Sequence, residues 1–530
     1  MKRTLFCFSL ILTALLLGAQ KGGMPDPDID ITHYEFNIEL NDTTDVISCS
    51  TGINLNFRRA VNTVTLDLDN LNPEGKGMKI SSVLMNRSKV GWEHSGDRLR
   101  IETSAFAKPG TPAEITVSYS GIPSDGLIIS ANKYGNRTFF ADHWPDRASS
   151  YLPVVDHPGD KATVEFLITA PSHYEVVASG NLVEESDLKA GRKLTHWKED
   201  VPLPVKVMAF AAADFAIRLA GYGGGVPVWT WVYPENRLEG FNDYAVAIKP
   251  LEFYSGLIGT YSFEKLANVQ SKTIFGGLEN AGCIFYSENS VTGQGKAENL
   301  IAHEIAHQWF GNSVTEGEWH HIWLSEGFAT YLTSVYNEMT YGREKLKESM
   351  MMARSRILRS SERNLRPVID TTITNLMGLL NANSYQKGAW VLHMLRSEVG
   401  EETFWKGMRL FYDRFRNGNA MTVDFRIVME EVSGKDLKNF FHQWLYVGGE
   451  PHLKISMAAG KMKGTSDIII EQVQDYLFSF DLEVVLREKG RDMPFVIPVN
   501  DRITTRNVKV SPEAEVILDP EVKLLFRKIE

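Results

Sequence analysis

A chain of 530 residues is too long for one hydrophobic core, so several domains are expected. Apolar residues make up 43% and charged residues 23%, as in soluble globular proteins. The net charge of −10 argues against nucleic acid or an anionic membrane as the main partner, because either favours a basic surface.

Lys2 and Arg3 precede an apolar run from Leu5 to Leu17, and Gly18, Ala19 and Gln20 follow. This order predicts a secretory signal peptide over residues 1–20, and with it export to a periplasmic or extracellular space. The run is shorter than the ~20 apolar residues that cross a bilayer. No later stretch is long and apolar enough, so no stable membrane insertion is expected. Cys7 lies inside the run without a lipobox. Cys49 and Cys283 fall in different predicted domains and are expected to be free, buried thiols.

From 28 to 215 the pattern alternates with period two, as in Tyr34–Leu40, Val64–Leu68 and Ala113–Tyr119. Half-buried antiparallel strands give that alternation, so the first domain is predicted to be all-β. The Gly-rich segment Gly221–Gly225 reads as a domain boundary. From roughly 240 to 450 the period becomes helical, and residues 216–450 are read as the second domain. Helices are predicted over Ala245–Leu257, Asn299–Phe310, Phe328–Met339, Arg343–Arg359, Gln386–Val399 and Glu402–Arg414. Residues 451–530 return to strands, such as His452–Met457, Asp467–Glu471 and Phe480–Leu486, and are expected to form a small β-sandwich. The fold class is therefore multidomain α+β.

The chemistry concentrates in His303, Glu304 and His307. Residues four apart on a helix stand one above the other, so both imidazoles can face one metal ion. Ile301, Ile305, Trp309 and Phe310 make this helix apolar, and polar groups on such a helix are costly without partners. The competing reading is a surface helix with two histidines and a solvated Glu. Eighteen residues separate His307 from Glu326, which opens another apolar helix and supplies a third ligand of the kind catalytic zinc uses. Glu304, one step round the helix, is placed to take a proton from water and deliver it to a leaving amine. Zn2+ is the expected cofactor.

Further motifs accompany this one. They are Gly276, Gly277, Leu278, Glu279 and Asn280 in a row; Ser384–Gly388 around Tyr385; Trp309–Asn312; and Leu152–Lys161. With the zinc motif they resemble the M1 aminopeptidases, gluzincins of the aminopeptidase N and leukotriene A4 hydrolase type. The resemblance is specific from about Leu203 to Pro451 and weaker across the β domain. It implies a thermolysin-like α+β catalytic domain. It further implies that Gly276–Asn280 is an edge strand beside the substrate, with Glu279 binding the free α-amine of a peptide. Leu278 stands where the family usually has Met. Tyr385 is implied to donate a hydrogen bond to the oxyanion.

Three departures stand out. The β-domain Glu or Gln that helps bind the amine is replaced by Trp144, so that role is vacant or shifted, with Asp142 as a candidate. The acidic residue seven positions beyond the third ligand is Thr333, so another group must hold His303. The chain ends without the large helical C-terminal domain of many members, from which a more open cleft is expected. The leading reading is a zinc aminopeptidase acting on peptides with a free N-terminus. The alternatives are a zinc endopeptidase or epoxide hydrolase on the same framework, or a catalytically weak or inactive peptide-binding scaffold.

Overall fold

Alternation in the N-terminal third resolves into sheets. In Ile29–Glu39 the side chains of Tyr34, Phe36 and Ile38 are buried, while Glu35, Asn37 and Glu39 point outward. This strand is central to an eight-stranded sheet, paired antiparallel with Ile47–Phe57 on one side. On its other side it runs parallel to Ala162–Pro171, with His33 opposite Thr163. A four-stranded sheet of Glu175–Ala178, Phe210–Ala213, Arg137–Ala141 and Leu127–Ala131 accompanies it. Phe166 joins the two sheets, with ring centroids 5.5 Å from Phe36 and 5.7 Å from Phe210. The chain is described here by a computed structural model covering residues 25–103 and 106–529. The predicted signal peptide, Cys7 included, lies outside the described residues.

The next sheet carries the site. Its strands run in the order Ala216–Gly223, Val226–Val232, Leu266–Ser271, Cys283–Ser287 and Gly277–Leu278. Gly277–Leu278 is an edge strand that pairs only with Cys283–Ser287. One expectation is corrected. Ala216–Gly223 and Val226–Val232 are the two arms of one hairpin. Gly221 and Gly223 therefore lie in the first arm, and Gly224 and Gly225, at φ of 57° and 86°, make the turn, so the glycine-rich segment sits inside a sheet and not between domains. Phe140 of the β domain meets Phe285 of this sheet edge-on, at 5.6 Å between centroids.

The helices cover one side of the site. Observed are Glu298–Ala306, Trp323–Tyr341, Arg343–Ser361, Gly388–Val399 and Glu401–Phe415. The second begins five residues before its predicted start at Phe328, which puts Glu326 in its first turn. The fourth begins at Gly388, not Gln386, because residues Asn383–Lys387 form a π-helical turn. Helices Arg237–Tyr244 and Thr422–Ser433 escape prediction. In the first, Leu238 is exposed and the remaining residues are largely polar, so no apolar stripe of period 3.6 develops.

Beyond Pro451 the described residues form two sheets. Ile503–Val508, Ser466–Gln472, His452–Ala459 and Arg527–Ile529 make one, and Arg491–Val499, Phe480–Glu488 and Glu515–Leu518 the other. They are fastened to the helices by the Arg354–Asp519 ion pair at 2.7 Å and by His393 Nε2 with Val522 O at 2.8 Å. Cys49 and Cys283 are free and buried, as expected, and burial pushes their thiols up to about 12 and about 11. Among the described residues no helix is long and apolar enough to cross a membrane.

Candidate metal centre and its surroundings

His303 and His307 project from one face of the helix Glu298–Ala306 and its C-cap, while Glu326 reaches back from the first turn of Trp323–Tyr341. The donor atoms form a triangle. His303 Nε2 lies 3.1 Å from His307 Nε2, and Glu326 Oε2 lies 3.5 Å and 3.3 Å from the two nitrogens. A tetrahedral zinc site with bonds of about 2.0–2.1 Å has ligand-to-ligand edges of about 3.3 Å. The donor set and its spacing therefore fit zinc. The group is also the one cluster of His, Cys, Asp and Glu donors within 4.8 Å of one another among the described residues.

The local chemistry prepares these ligands. His307 Nδ1 sits 3.3 Å from the Phe310 carbonyl and 2.9 Å from Ser325 Oγ. A carbonyl only accepts, so Nδ1 carries a proton and Nε2 is the nitrogen that would meet a metal ion in the triangle. Without metal, burial opposes ionisation of Glu326, but the His307 and His303 imidazoles outweigh it and hold this carboxyl well below the usual range. Thr333 takes no part, since its hydroxyl donates to the carbonyl of Ala329 on its own helix at 2.8 Å. The His303 ring instead lies nearly parallel to that of Tyr385, 13° apart with centroids 6.0 Å apart.

Glu304 is buried on the other flank of the triangle. Burial pushes its carboxyl well above the usual range, with Glu279 and Glu326 pushing the same way and His307 opposing. Its carboxylate packs onto the edge strand so closely that a Cβ on Gly277 would fall 2.3 Å from Glu304 Oε1. Only glycine permits that approach. Tyr385 is placed by a second close approach, in which the helices bearing Glu326 and Tyr385 cross at Gly327 and Gly388. A Cβ on Gly327 would sit 2.9 Å from the Gly388 Cα. The π-helical turn just before this crossing shifts Tyr385 out of α-helical register, as such turns often do at sites.

Gly276, Gly277, Leu278, Glu279 and Asn280 run along the edge strand and out of it. Glu279 is 5% exposed, and its Oε1 has no hydrogen-bond partner among the described residues. A buried, unmatched carboxylate oxygen is costly unless a donor arrives from outside. Asp142 does not share this property, which corrects the expectation attached to it. Arg147 and the Ile274 N–H, the latter at 3.1 Å, occupy its two oxygens. Asp142 thus fastens the segment leading into Gly276. Trp144 packs edge-on against Phe275 at 5.9 Å and Trp319 at 6.0 Å. An indole only donates, so it offers nothing to an ammonium group in the plane of the ring.

Some contributors were not read from sequence. Lys206 and Glu316 form an ion pair with side chains 1% and 0% exposed. Lys161, the last residue of the Leu152–Lys161 motif, donates to the carbonyls of Asn312 at 3.0 Å and Ser313 at 2.8 Å. That motif thereby braces the loop that follows His307. Ser325 was missed although it adjoins Glu326.

A sequence model of the Peptidase family M1 domain matches residues 243–444, and one of the Peptidase M1 N-terminal domain matches residues 31–205. The chain belongs to peptidase family M1. It is 27% identical over 334 residues to glutamyl aminopeptidase of Homo sapiens, spanning 59% of this chain and 34% of that protein. It is 27% identical over 469 residues to the mitochondrial aminopeptidase 2 of Saccharomyces cerevisiae, spanning 82% of this chain and 48% of that protein. The chain thus spans a third to a half of the length of these relatives. The crystal structure of Legionella pneumophila aminopeptidase A in complex with aspartic acid superposes with a TM-score of 0.83 at 18% identity. It covers 96% of this chain, which covers 61% of it, and shows a shared fold.

Proposed function

We propose that this protein is a zinc metallo-aminopeptidase that hydrolyses the N-terminal peptide bond of peptides with a free N-terminus. The observation that carries this reading is the His303–His307–Glu326 triangle, with edges of 3.1–3.5 Å, flanked by the buried carboxylates of Glu304 and Glu279. Zinc held by these three side chains would supply Lewis acidity, polarising the scissile carbonyl and acidifying a water molecule. Glu304 takes the proton of the attacking water onto its carboxylate and later gives it to the departing amine nitrogen. Glu279 accepts hydrogen bonds from the substrate's ammonium group through its unmatched oxygen and so fixes the peptide by its first residue.

The phenol of Tyr385, whose ring lies alongside that of His303, donates to the oxygen that gains charge as the carbonyl carbon becomes tetrahedral. Burial keeps that phenol protonated, and the carboxylates of Glu326 and Glu279 push the same way. Such a donor acts mainly in the transition state, so Tyr385→Phe is expected to lower kcat about a hundredfold with little change in KM. Steady-state kinetics on one aminoacyl amide decide this, and an effect confined to KM would make Tyr385 a positioning residue.

Zinc analysis of the purified chain, together with a panel of aminoacyl fluorogenic amides, tests the whole reading. One zinc per chain is expected, along with chelator-sensitive release of the fluorophore from unblocked amides. A chain that binds no zinc, or holds it and cleaves none of the panel, would overturn it.

A further inference from the structure

Two buried amides just beyond the histidine helix, Gln308 and Asn312, bond to the turn that follows the edge strand. The Gln308 Nε2 donates to the carbonyl of Glu279 at 3.0 Å, and its Oε1 accepts from the Gly282 N–H at 2.9 Å. One side chain therefore closes the turn 279–282 at both ends. Asn312 Nδ2 donates to the same Glu279 carbonyl at 2.6 Å, while its Oδ1 has no hydrogen-bond partner among the described residues. Both side chains are almost wholly buried, at 1% and 0% exposure.

This arrangement exceeds what backbone satisfaction requires, since one donor would serve a buried carbonyl. The strand itself is a weak support. Gly277–Leu278 is two residues long, with a neighbour on one side only. What holds Glu279 in place is the helix. Gln308 directly follows the ligand His307, and the Asn312 N–H donates to the His307 carbonyl at 3.0 Å. Two residues upstream of Glu279, the backbone of Gly277 rests on the Glu304 carboxylate. The position of the Glu279 carboxylate relative to the metal triangle is thus set through rigid side-chain bonds between the turn and the helix.

We propose that Gln308 and Asn312 are positioning residues that fix the distance between Glu279 and the metal triangle, so that the peptide bond one residue from the bound amine is the one presented for attack. This rests on the reading of Glu279 as the amine site. It assigns a purpose to the Trp309–Asn312 motif that the zinc site leaves unused. It also explains why two amides converge on one carbonyl.

The test compares two small ligands on the zinc-loaded protein by calorimetry: alanine hydroxamate, which carries the α-amine, and propionohydroxamate, which lacks it. Wild type is expected to prefer the amine-bearing ligand. Gln308→Met keeps the length and packing of the side chain and removes its hydrogen bonds. Asn312→Leu is a milder, nearly isosteric change that leaves Gln308 in place. Each is expected to shrink the preference about tenfold, as loss of a buried hydrogen bond would. Affinity for propionohydroxamate and zinc content should stay at wild-type values. Asn312→Leu decides the matter if Gln308→Met does not fold. A preference unchanged in the folded variants overturns the proposal, as does equal weakening of both ligands, which would mark a merely structural role. Absence of any preference in wild type is a separate failure, that of the Glu279 reading, and it is seen before any variant is made.

Discussion

Glu304→Gln is expected to retain one zinc per chain and to lose turnover by a factor on the order of 10³–10⁴. The amide keeps the shape and burial of the carboxylate, so its packing against Gly277 and the triangle of donors should survive. It cannot accept the proton of the attacking water, and no other group replaces it. In the proposed mechanism Glu279 is taken up by the substrate amine, Glu326 is committed to the two imidazoles, and the phenol of Tyr385 is already protonated. Ligand variants should behave in the opposite way. His303→Ala, His307→Ala and Glu326→Ala each remove one donor of the triangle, so metal content should fall together with activity. The measurement is zinc per chain beside kcat for all four variants. Complete zinc loss in Glu304→Gln, or activity retained by it, would remove the distinction between ligand and base on which the mechanism stands.

Local spacing carried much of what was legible from linear order. His303 and His307 are one helical turn apart, so their common face follows from the helix period alone. Glu326 is recognisable because a carboxylate at the head of an apolar helix needs a partner. The strands of the β domain announce themselves by alternation, as Tyr34, Phe36 and Ile38 show. What escaped is non-local or irregular. The bond from Asp142 to the Ile274 N–H joins residues 132 positions apart, and no periodicity encodes it. Trp144 could be seen to interrupt an expected role, but its packing on Phe275 and Trp319 could not be read. The π-helical turn at Tyr385 has no signature of its own in a stretch rich in Asn and Ser. Gln308 and Asn312 sat in plain view beside the metal motif. Their bonds run to the carbonyl of Glu279, 29 positions upstream of Gln308 and 33 upstream of Asn312, and only the fold brings them together.

An unblocked dipeptide amide is expected to be cleaved about a thousandfold faster than its N-acetyl form, measured as kcat/KM. The reason is the state in which each substrate leaves Glu279. Glu279 is 5% exposed and its buried Oε1 is unmatched among the described residues, so water offers that oxygen little. An ammonium group brings charge-assisted donors to that oxygen. An acetylated nitrogen brings no charge and adds bulk, and it traps the carboxylate dry and unpaired, the arrangement that costs most when a buried pair is broken. Asp142 cannot take over the unblocked amine if Glu279 is lost, because Arg147 and the Ile274 N–H occupy its oxygens. Glu279→Ala should therefore erase most of the preference, chiefly by slowing the unblocked substrate. The acetylated one, which no longer traps an unpaired carboxylate, should be cleaved somewhat faster than by wild type. The four values of kcat/KM, two substrates on two proteins, settle the question. If wild type cleaves the blocked amide equally well, Glu279 does not select the amine. The same triangle and base would then serve a zinc endopeptidase. If the preference persists in Glu279→Ala, some other acceptor near the edge strand holds the N-terminus.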